Sequence, residues 1–432
     1  MDVITSAVTA AIAEGAASAA YQMLKTRLGG KSPRVEEALL DLEEDPGSLS
    51  RQFALSDALA AAGLAGDRYL RAAARNLLDE VERRQAGVGV GVHEAQAHVA
   101  TEGVPNHAVM QVFCATDRQQ TGDRHPARQF GIARGPVSYG SCEVSIPRDH
   151  RMGELESPSL LRLQFRPDPD RHVVLMRTEV ATREQFFPTV SQAIAASGTH
   201  AALLFVHGYR VSFEDAARRT GQIAYDLGFA GVPLFYSWPS QGRLSGYLVD
   251  ETNVEWAQAG LMTFLTDFLA ETQAEHVYLL GHSMGNRALT RAAAAVIASR
   301  PELAVRLREI ILTAPDIDAE VFRRDIVPAL AAAGNPVTLY ASANDEAMRV
   351  SKKMHGFPRA GDSGVGLVVA AGLETIDASG VDTSFIGHSY YAQGRSALGD
   401  MYYLINQRLR AHQRFGLHAV EAPGGRYWTF NE

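Results

Sequence analysis

The chain has 432 residues, room for a large catalytic domain and a smaller module, and 46% hydrophobic content to fill their cores. A formal net charge of −8, with no clustered basic run, excludes a nucleic-acid backbone as main partner, because such binding needs cations that neutralise phosphates. Two cysteines, Cys114 and Cys142, are too few for a disulfide framework or a thiolate metal site, so a reducing, cytoplasmic setting is expected.

The N-terminus, Met1-Asp2-Val3-Ile4, lacks the positive region of a signal peptide, and its alanine-rich stretch is interrupted by Glu14, which argues against a spanning helix. Residues 1–86 read as a helical module. Ser32-Pro33 supplies a cap and a first-turn proline, Asp45-Pro46-Gly47-Ser48 a turn with the next cap, and Gly63 with Gly66-Asp67 a third boundary, giving four helices. Apolar positions at helical spacing, Val35, Leu39, Leu42 and then Leu70, Ala74, Leu77, give each helix a face to bury. Ile4, Val8, Ile12 and Ala16 mark the first helix, which can pack within the fold, self-associate or recruit a partner, or touch a membrane surface. Packing within the fold is favoured, as for most amphipathic helices. Residues 87–105, opening on Gly87-Val88-Gly89-Val90-Gly91-Val92, read as a flexible linker.

Residues 106–413 form the catalytic domain and 414–432 a tail. Strands are expected over 107–115, 139–146, 160–165 and 172–180, then a helix over 184–196. A regular alternation follows: apolar strands over 201–206, 232–237, 276–280, 309–312 and 336–341, with helices over 213–227, 254–273, 286–297 and 320–333, and a last strand over 373–378. Continuous apolar strands separated by helices imply a parallel sheet covered on both faces, an α/β fold preceded by a small all-helical domain.

Gly281-His282-Ser283-Met284-Gly285 stands between one such strand and the following helix. With 38 glycines in 432 residues, about 0.2 matches to Gly-x-Ser-x-Gly are expected by chance, so context decides. A strand, tight turn and helix is the setting that exposes a nucleophilic serine. A hydroxyl needs a histidine base and an orienting carboxylate, which follow the serine in the order acid, then histidine. His388, in a loop after the last strand, is preferred to His355, His412 and His418; Asp345, after the strand ending at Ala341, is preferred to Asp316, after Leu312. An oxyanion hole would use the amide of Met284 and one from the Val206-His207-Gly208-Tyr209-Arg210 segment, at Tyr209 or Arg210. Arg210, Trp238 and Asp316 are candidate substrate-binding residues, Trp238 and Asp316 serving equally well as core or structural residues. His207 is read as a buried supporting residue. No metal or nucleotide motif is present, and the mechanism requires no cofactor.

Phe113-Cys114-Ala115-Thr116-Asp117-Arg118, Tyr139-Gly140-Ser141-Cys142, Val206-His207-Gly208-Tyr209, Tyr236-Ser237-Trp238-Pro239-Ser240, Gly281-His282-Ser283-Met284-Gly285-Asn286-Arg287, Ala314-Pro315-Asp316 and Gly387-His388-Ser389-Tyr390-Tyr391 occur in this order. Together they resemble the bacterial DUF900 family of esterase/lipase-like α/β-hydrolases, over about residues 108–405. The resemblance implies the α/β-hydrolase fold and a serine-hydrolase site, and no particular substrate. Where that pattern commonly has asparagine, this chain has Arg210. The helical module resembles those placed before effector domains in prokaryotic defence proteins.

The expected activity is hydrolysis of a carboxylic ester, of a small molecule or a lipid, through an acyl-enzyme on Ser283. The alternatives are an effector hydrolase switched by assembly or partner recruitment through the N-terminal helices, and a non-catalytic scaffold of the same fold. The loop over 354–366 or the module itself could restrict entry to the site.

Overall fold

Apolar side chains at helical spacing need a common partner surface, and the first 78 residues supply it to one another. A computed structural model describes residues 2–13, 19–44, 46, 48–67, 69–75, 77–78, 105–158, 167–243, 246–343, 356–364, 366–379 and 397–430. Helices α1 (Val3–Ala13), α2 (Ala19–Gly29), α3 (Pro33–Glu44) and α4 (Leu49–Ala61) are followed by helical residues 69–75 and 77–78. Ile4, Leu28, Leu39, Leu59, Leu70 and Leu77 meet in one buried cluster separate from the rest of the protein's core. The expected stops at Ser32-Pro33, Ser48 and Gly63 coincide with helix boundaries; the first expected helix is described as two, on either side of 14–18. The linker glycines lie outside the described residues.

The second unit is built on an eleven-stranded sheet among the described residues, in the order β10-β11-β9-β8-β7-β6-β4-β5-β1-β2-β3. Its strands are β1 (His107–Gln120), β2 (Phe130–Pro147), β3 (Val174–Ala181), β4 (Ala201–Val206), β5 (Val232–Ser237), β6 (His276–His282), β7 (Leu307–Thr313), β8 (Val337–Ala341), β9 (Leu373–Asp377), β10 (Leu417–Ala422) and β11 (Gly425–Phe430). From β1 across to β9 the neighbours are parallel; β2 and β3 extend one edge in antiparallel fashion. Helices α5 (Arg183–Ala196), α6 (Phe213–Asp226), α7 (Tyr247–Glu271), α8 (Gly285–Ser299) and α9 (Ala397–Ile405) cover it.

The all-apolar strands are buried on both sides because alternate residues feed two different cores. Leu204, Leu279, Ile310 and Leu339 point into the core shared with α5, α7 and α8. Leu203, Leu280, Ile311 and Tyr340 point into the core shared with α6 and α9. The expected strand over 160–165 lies outside the described residues. Residues 417–430, expected as part of a tail, are instead a hairpin around Gly424-Gly425, both at positive φ, whose second strand pairs with β9 in parallel. Its first strand has no buried residue, so no continuous apolar run marked it. Among the described residues no helix is long and apolar enough to cross a membrane, and no group of three or more His, Cys, Asp or Glu is placed to hold a metal ion.

Candidate active site

Strand β6 ends at His282 and α8 begins at Gly285, leaving Ser283 and Met284 to make the turn. Ser283 has φ +48°, a left-handed conformation that costs a residue with a Cβ free energy and persists only when its surroundings impose it. Those surroundings are explicit. The Ser283 amide donates to the Thr313 carbonyl at 3.0 Å, and its own carbonyl accepts from the amides of Asn286 (3.1 Å) and Asp316 (3.2 Å) and from Asn286 Nδ2 (3.2 Å). Asn286 Nδ2 also donates to the Thr313 carbonyl at 3.0 Å, tying the turn to the end of β7.

Both flanking glycines are demanded by close approach rather than by flexibility. A Cβ at Gly281 would lie 2.1 Å from Asn286 Oδ1, and one at Gly285 would lie 2.1 Å from the His207 carbonyl oxygen. Ser283 therefore stands at the start of a 15-residue helix, where unpaired amides and the helix dipole favour an anion. It is 3% exposed. Met284, fully buried, brings its backbone to the same helix start.

The loop after β4 is pressed against this turn: a Cβ at Gly208 would lie 3.0 Å from Ser283 Cβ and 2.7 Å from His282 Nδ1. A buried polar relay sets its direction. Arg118 can only donate, and its Nε does so to Ser237 Oγ at 2.8 Å, so the Ser237 hydroxyl proton is available to His207 Nε2 at 3.1 Å. His207 Nδ1 then carries its proton toward the Gly208 carbonyl oxygen at 2.8 Å. The peptide between Gly208 and Tyr209 is planar and trans, so fixing its C=O fixes its N–H in the opposite direction. The Tyr209 amide is thereby held in one orientation.

Arg118 reaches further, donating to the carbonyls of Gly131 (3.2 Å), Ser240 (3.0 Å) and Val211 (2.7 Å). Burial lowers its pKa to about 10, and burial together with the Arg118 charge pushes His207 down to about 3, so the imidazole is neutral at any physiological pH. Nothing local in the sequence signals this relay, because Arg118 and Ser237 lie 119 positions apart.

Trp238 and Asp316, candidates for touching substrate, are both buried and engaged by groups of the protein itself. Trp238 is fully buried, stacks on His207 with ring centroids 5.0 Å apart, and donates its Nε1–H to the His207 carbonyl at 2.7 Å. Asp316 is 1% exposed and carries two guanidinium partners, Arg359 at 2.9 Å and Arg287 at 3.1 Å, together with the Tyr247 hydroxyl at 2.6 Å. A carboxylate so saturated is a structural anchor. It binds the segment after β7 to α7, α8 and the strand-like residues around Arg359, while its amide holds the Ser283 carbonyl.

Arg210 has φ +63° and is 9% exposed. Its amide donates to Asp250 Oδ2 at 3.4 Å, and the same carboxylate takes the Ser240 hydroxyl at 2.5 Å and the Gln241 amide at 2.7 Å. The Arg210 amide is thus aimed at Asp250. Its guanidinium reaches Asp41 of α3: Nη2 donates to the Asp41 carbonyl at 3.2 Å, and Nε lies 4.0 Å from Asp41 Oδ1. Burial lowers the Arg210 pKa to about 10, with the Asp41 carboxylate acting the other way. The expected acid and base, Asp345 and His388, lie outside the described residues, as does His355. Strands β8 and β9 lie two and three positions from β6 in the sheet.

A family model described as an alpha/beta hydrolase of unknown function, DUF900, matches residues 183–408. A second, described as a Het-E N-terminal domain, matches residues 1–116. No curated protein matches the chain. Among solved structures, an inhibited esterase B from Lactobacillus rhamnosis is similar at 10% identity, TM-score 0.26, over 70% of this chain and 84% of that one. AbyA5 is similar at 14% identity, TM-score 0.28, over 84% and 87%. An esterase of Pyrobaculum calidifontis is similar at 12% identity, TM-score 0.29, over 70% and 87%. Likenesses this distant assign neither substrate nor residues.

Proposed function

The chain belongs to the DUF900 family of alpha/beta hydrolases, and from that premise we propose that it is a serine hydrolase cleaving a carboxylic ester through an acyl-enzyme on Ser283. The observation that carries this is the strained Ser283 turn at the start of α8, with Gly208 of the β4 loop packed against it. A backbone held in the left-handed region at a strand-to-helix turn presents the hydroxyl above the sheet, and the flanking structure bears the cost.

In this mechanism His388 removes the Ser283 proton as the hydroxyl oxygen attacks the ester carbonyl carbon, and Asp345 orients the imidazole and stabilises its charged form. The tetrahedral oxyanion is received by the amides of Tyr209 and Met284. His388 then gives its proton to the departing alkoxide, leaving the acyl group on Ser283. A water activated by the same histidine attacks that acyl carbon and releases the acid, which returns Ser283 to its starting state. The side chains of Trp238 and Asp316 support this site without touching substrate. A small-molecule or lipid ester is the substrate class. No cofactor takes part in these steps.

The test is covalent capture. An alkyl fluorophosphonate should label the full chain at Ser283, and Ser283→Ala should abolish both labelling and turnover of p-nitrophenyl esters and phospholipids. Folded protein that neither labels nor hydrolyses, beside a control hydrolase that does both, would overturn the proposal.

A further inference from the structure

The acidic edge of the helical module lies on an arginine-bearing rim of the catalytic unit that includes Arg210 of the loop bordering the Ser283 turn. Three pairs join them. Asp41 of α3 meets Arg210 as described, Glu37 of α3 accepts from Arg243 at 3.3 Å, and Asp57 of α4 lies 3.6 Å from Arg128. Phe53 of α4 completes the contact, edge-on to His125 at 5.5 Å and beneath the Arg128 guanidinium at 5.0 Å.

The central pair differs from the outer two. Asp41 and Arg210 are 5% and 9% exposed, so their contact is withdrawn from water, whereas Glu37–Arg243 and Asp57–Arg128 remain at the rim. Arg210 is two residues from Gly208, the residue packed on Ser283, and Tyr209 between them lies in the field of both Asp41 and Arg51 of the module. Tyr209 in turn sits edge-on to Tyr247 at 5.3 Å, whose hydroxyl holds Asp316. The module is therefore seated on the loop that borders the nucleophile, in a structure where Ser283 is 3% exposed.

We propose that the helical module is an electrostatically latched cover of the Ser283 site, held shut by Asp41 on Arg210 and by the two rim pairs, and that release of these arginines opens the site. This rests on Ser283 being the reacting group. Such a latch has a defined physical character. Rim pairs are screened by salt and contribute little each, while a buried guanidinium that loses the Asp41 carbonyl and the field of its carboxylate is costly to leave dry and must find water. Loosening the rim therefore shifts the closed state toward an open one in which Arg210 is hydrated. Accessibility of residue 283 follows the open population.

Accessibility can be read without hydrolysis. In a full chain carrying Ser283→Cys, the rate of alkylation by iodoacetamide reports entry to position 283, with the unsubstituted chain giving the background from the buried Cys114 and Cys142. Adding Glu37→Gln and Asp41→Asn should speed alkylation roughly tenfold, and raising salt from about 50 mM to about 500 mM should speed the parent while leaving that variant little changed. A charge swap separates the latch from simple unfolding of the module. Glu37→Arg alone and Arg243→Glu alone should each speed alkylation, and the two together should restore the slow rate. Equal rates in all of these chains would overturn the proposal, as would fast single reversals that the swap does not rescue. If alkylation follows the latch while the parent protein cleaves no ester and captures no fluorophosphonate, the hydrolase reading fails and the cover stands.

Discussion

In the proposed mechanism His207 acts through the Gly208 carbonyl it holds, as an orienting residue. Its pKa of about 3 comes first from burial and then from the neighbouring Arg118 charge, and neutrality is what lets one ring nitrogen accept from Ser237 while the other donates to Gly208. Replacing it by phenylalanine keeps a ring against Trp238 but leaves the Gly208 carbonyl without that donor. The Tyr209 amide then loses its fixed direction, and kcat should fall by roughly a hundredfold with KM little changed, the signature of a lost transition-state contact. His207→Asn retains an amide donor near the position of Nδ1 and should recover part of the rate. The pH profile of the parent should show no inflection from His207 between about pH 4 and pH 9, since its transition lies below that range. Equal losses in the Phe and Asn variants, or a rise in KM alone, would count against the orienting role. At this scale the sequence was informative where chemistry is local: Gly281 and Gly285 flank Ser283 within five residues, the first required by the approach of the Asn286 side chain and the second by that of the His207 backbone. It did not reveal the partners of Arg118, Arg359 and Asp250, which are set by tertiary contact alone.

Elements in this fold are pinned by buried charge clusters as well as by apolar faces. The segment after β2 is fastened to α6 through His150, whose two ring nitrogens lie 2.7 Å from Glu156 Oε2 and 2.7 Å from Asp226 Oδ1. Burial pulls the imidazole pKa down, but hydrogen bonds to Asp226 and Glu156 outweigh it and raise it to about 9 from an ordinary 6.5. A folded pKa above the unfolded one means the folded state holds the proton more tightly. The stabilisation is complete below about pH 6.5 and disappears as pH rises through about 9. Between pH 7 and pH 10 the protein should lose on the order of 2 to 3 kcal/mol from this group, and His150→Gln should flatten that decline; urea unfolding across the range measures it. Parallel slopes in the two proteins would refute the assignment. Most strands and helices were legible because a continuous apolar run bounded by turns has few other outcomes. The C-terminal hairpin was not, since β10 lies at the sheet edge and alternates half-buried with exposed residues, leaving only Gly424-Gly425 as a turn signal.

Among the described residues, the module's core and the cores flanking the sheet share no buried apolar residue, and the contacts between the units include ion pairs, a hydrogen bond, an aromatic edge and a guanidinium over a ring. Cooperativity in unfolding comes from shared burial, so two separate cores joined by charges should behave as two units. The module is small, and a unit of fewer than about 90 residues buries a smaller fraction of its surface than a larger one, which places it at the less stable end. Calorimetry of the full chain should therefore show two transitions, the lower one belonging to the module. Salt should move that lower transition downward, because it weakens the pairs through which the sheet unit supports the module, while leaving the upper transition nearly in place. The far-ultraviolet helical signal should fall in the first step and the near-ultraviolet signal of the buried Trp238 in the second. A single transition insensitive to salt would mean that the two units fold as one, and that the module is a fixed wall of the site instead of a separable cover.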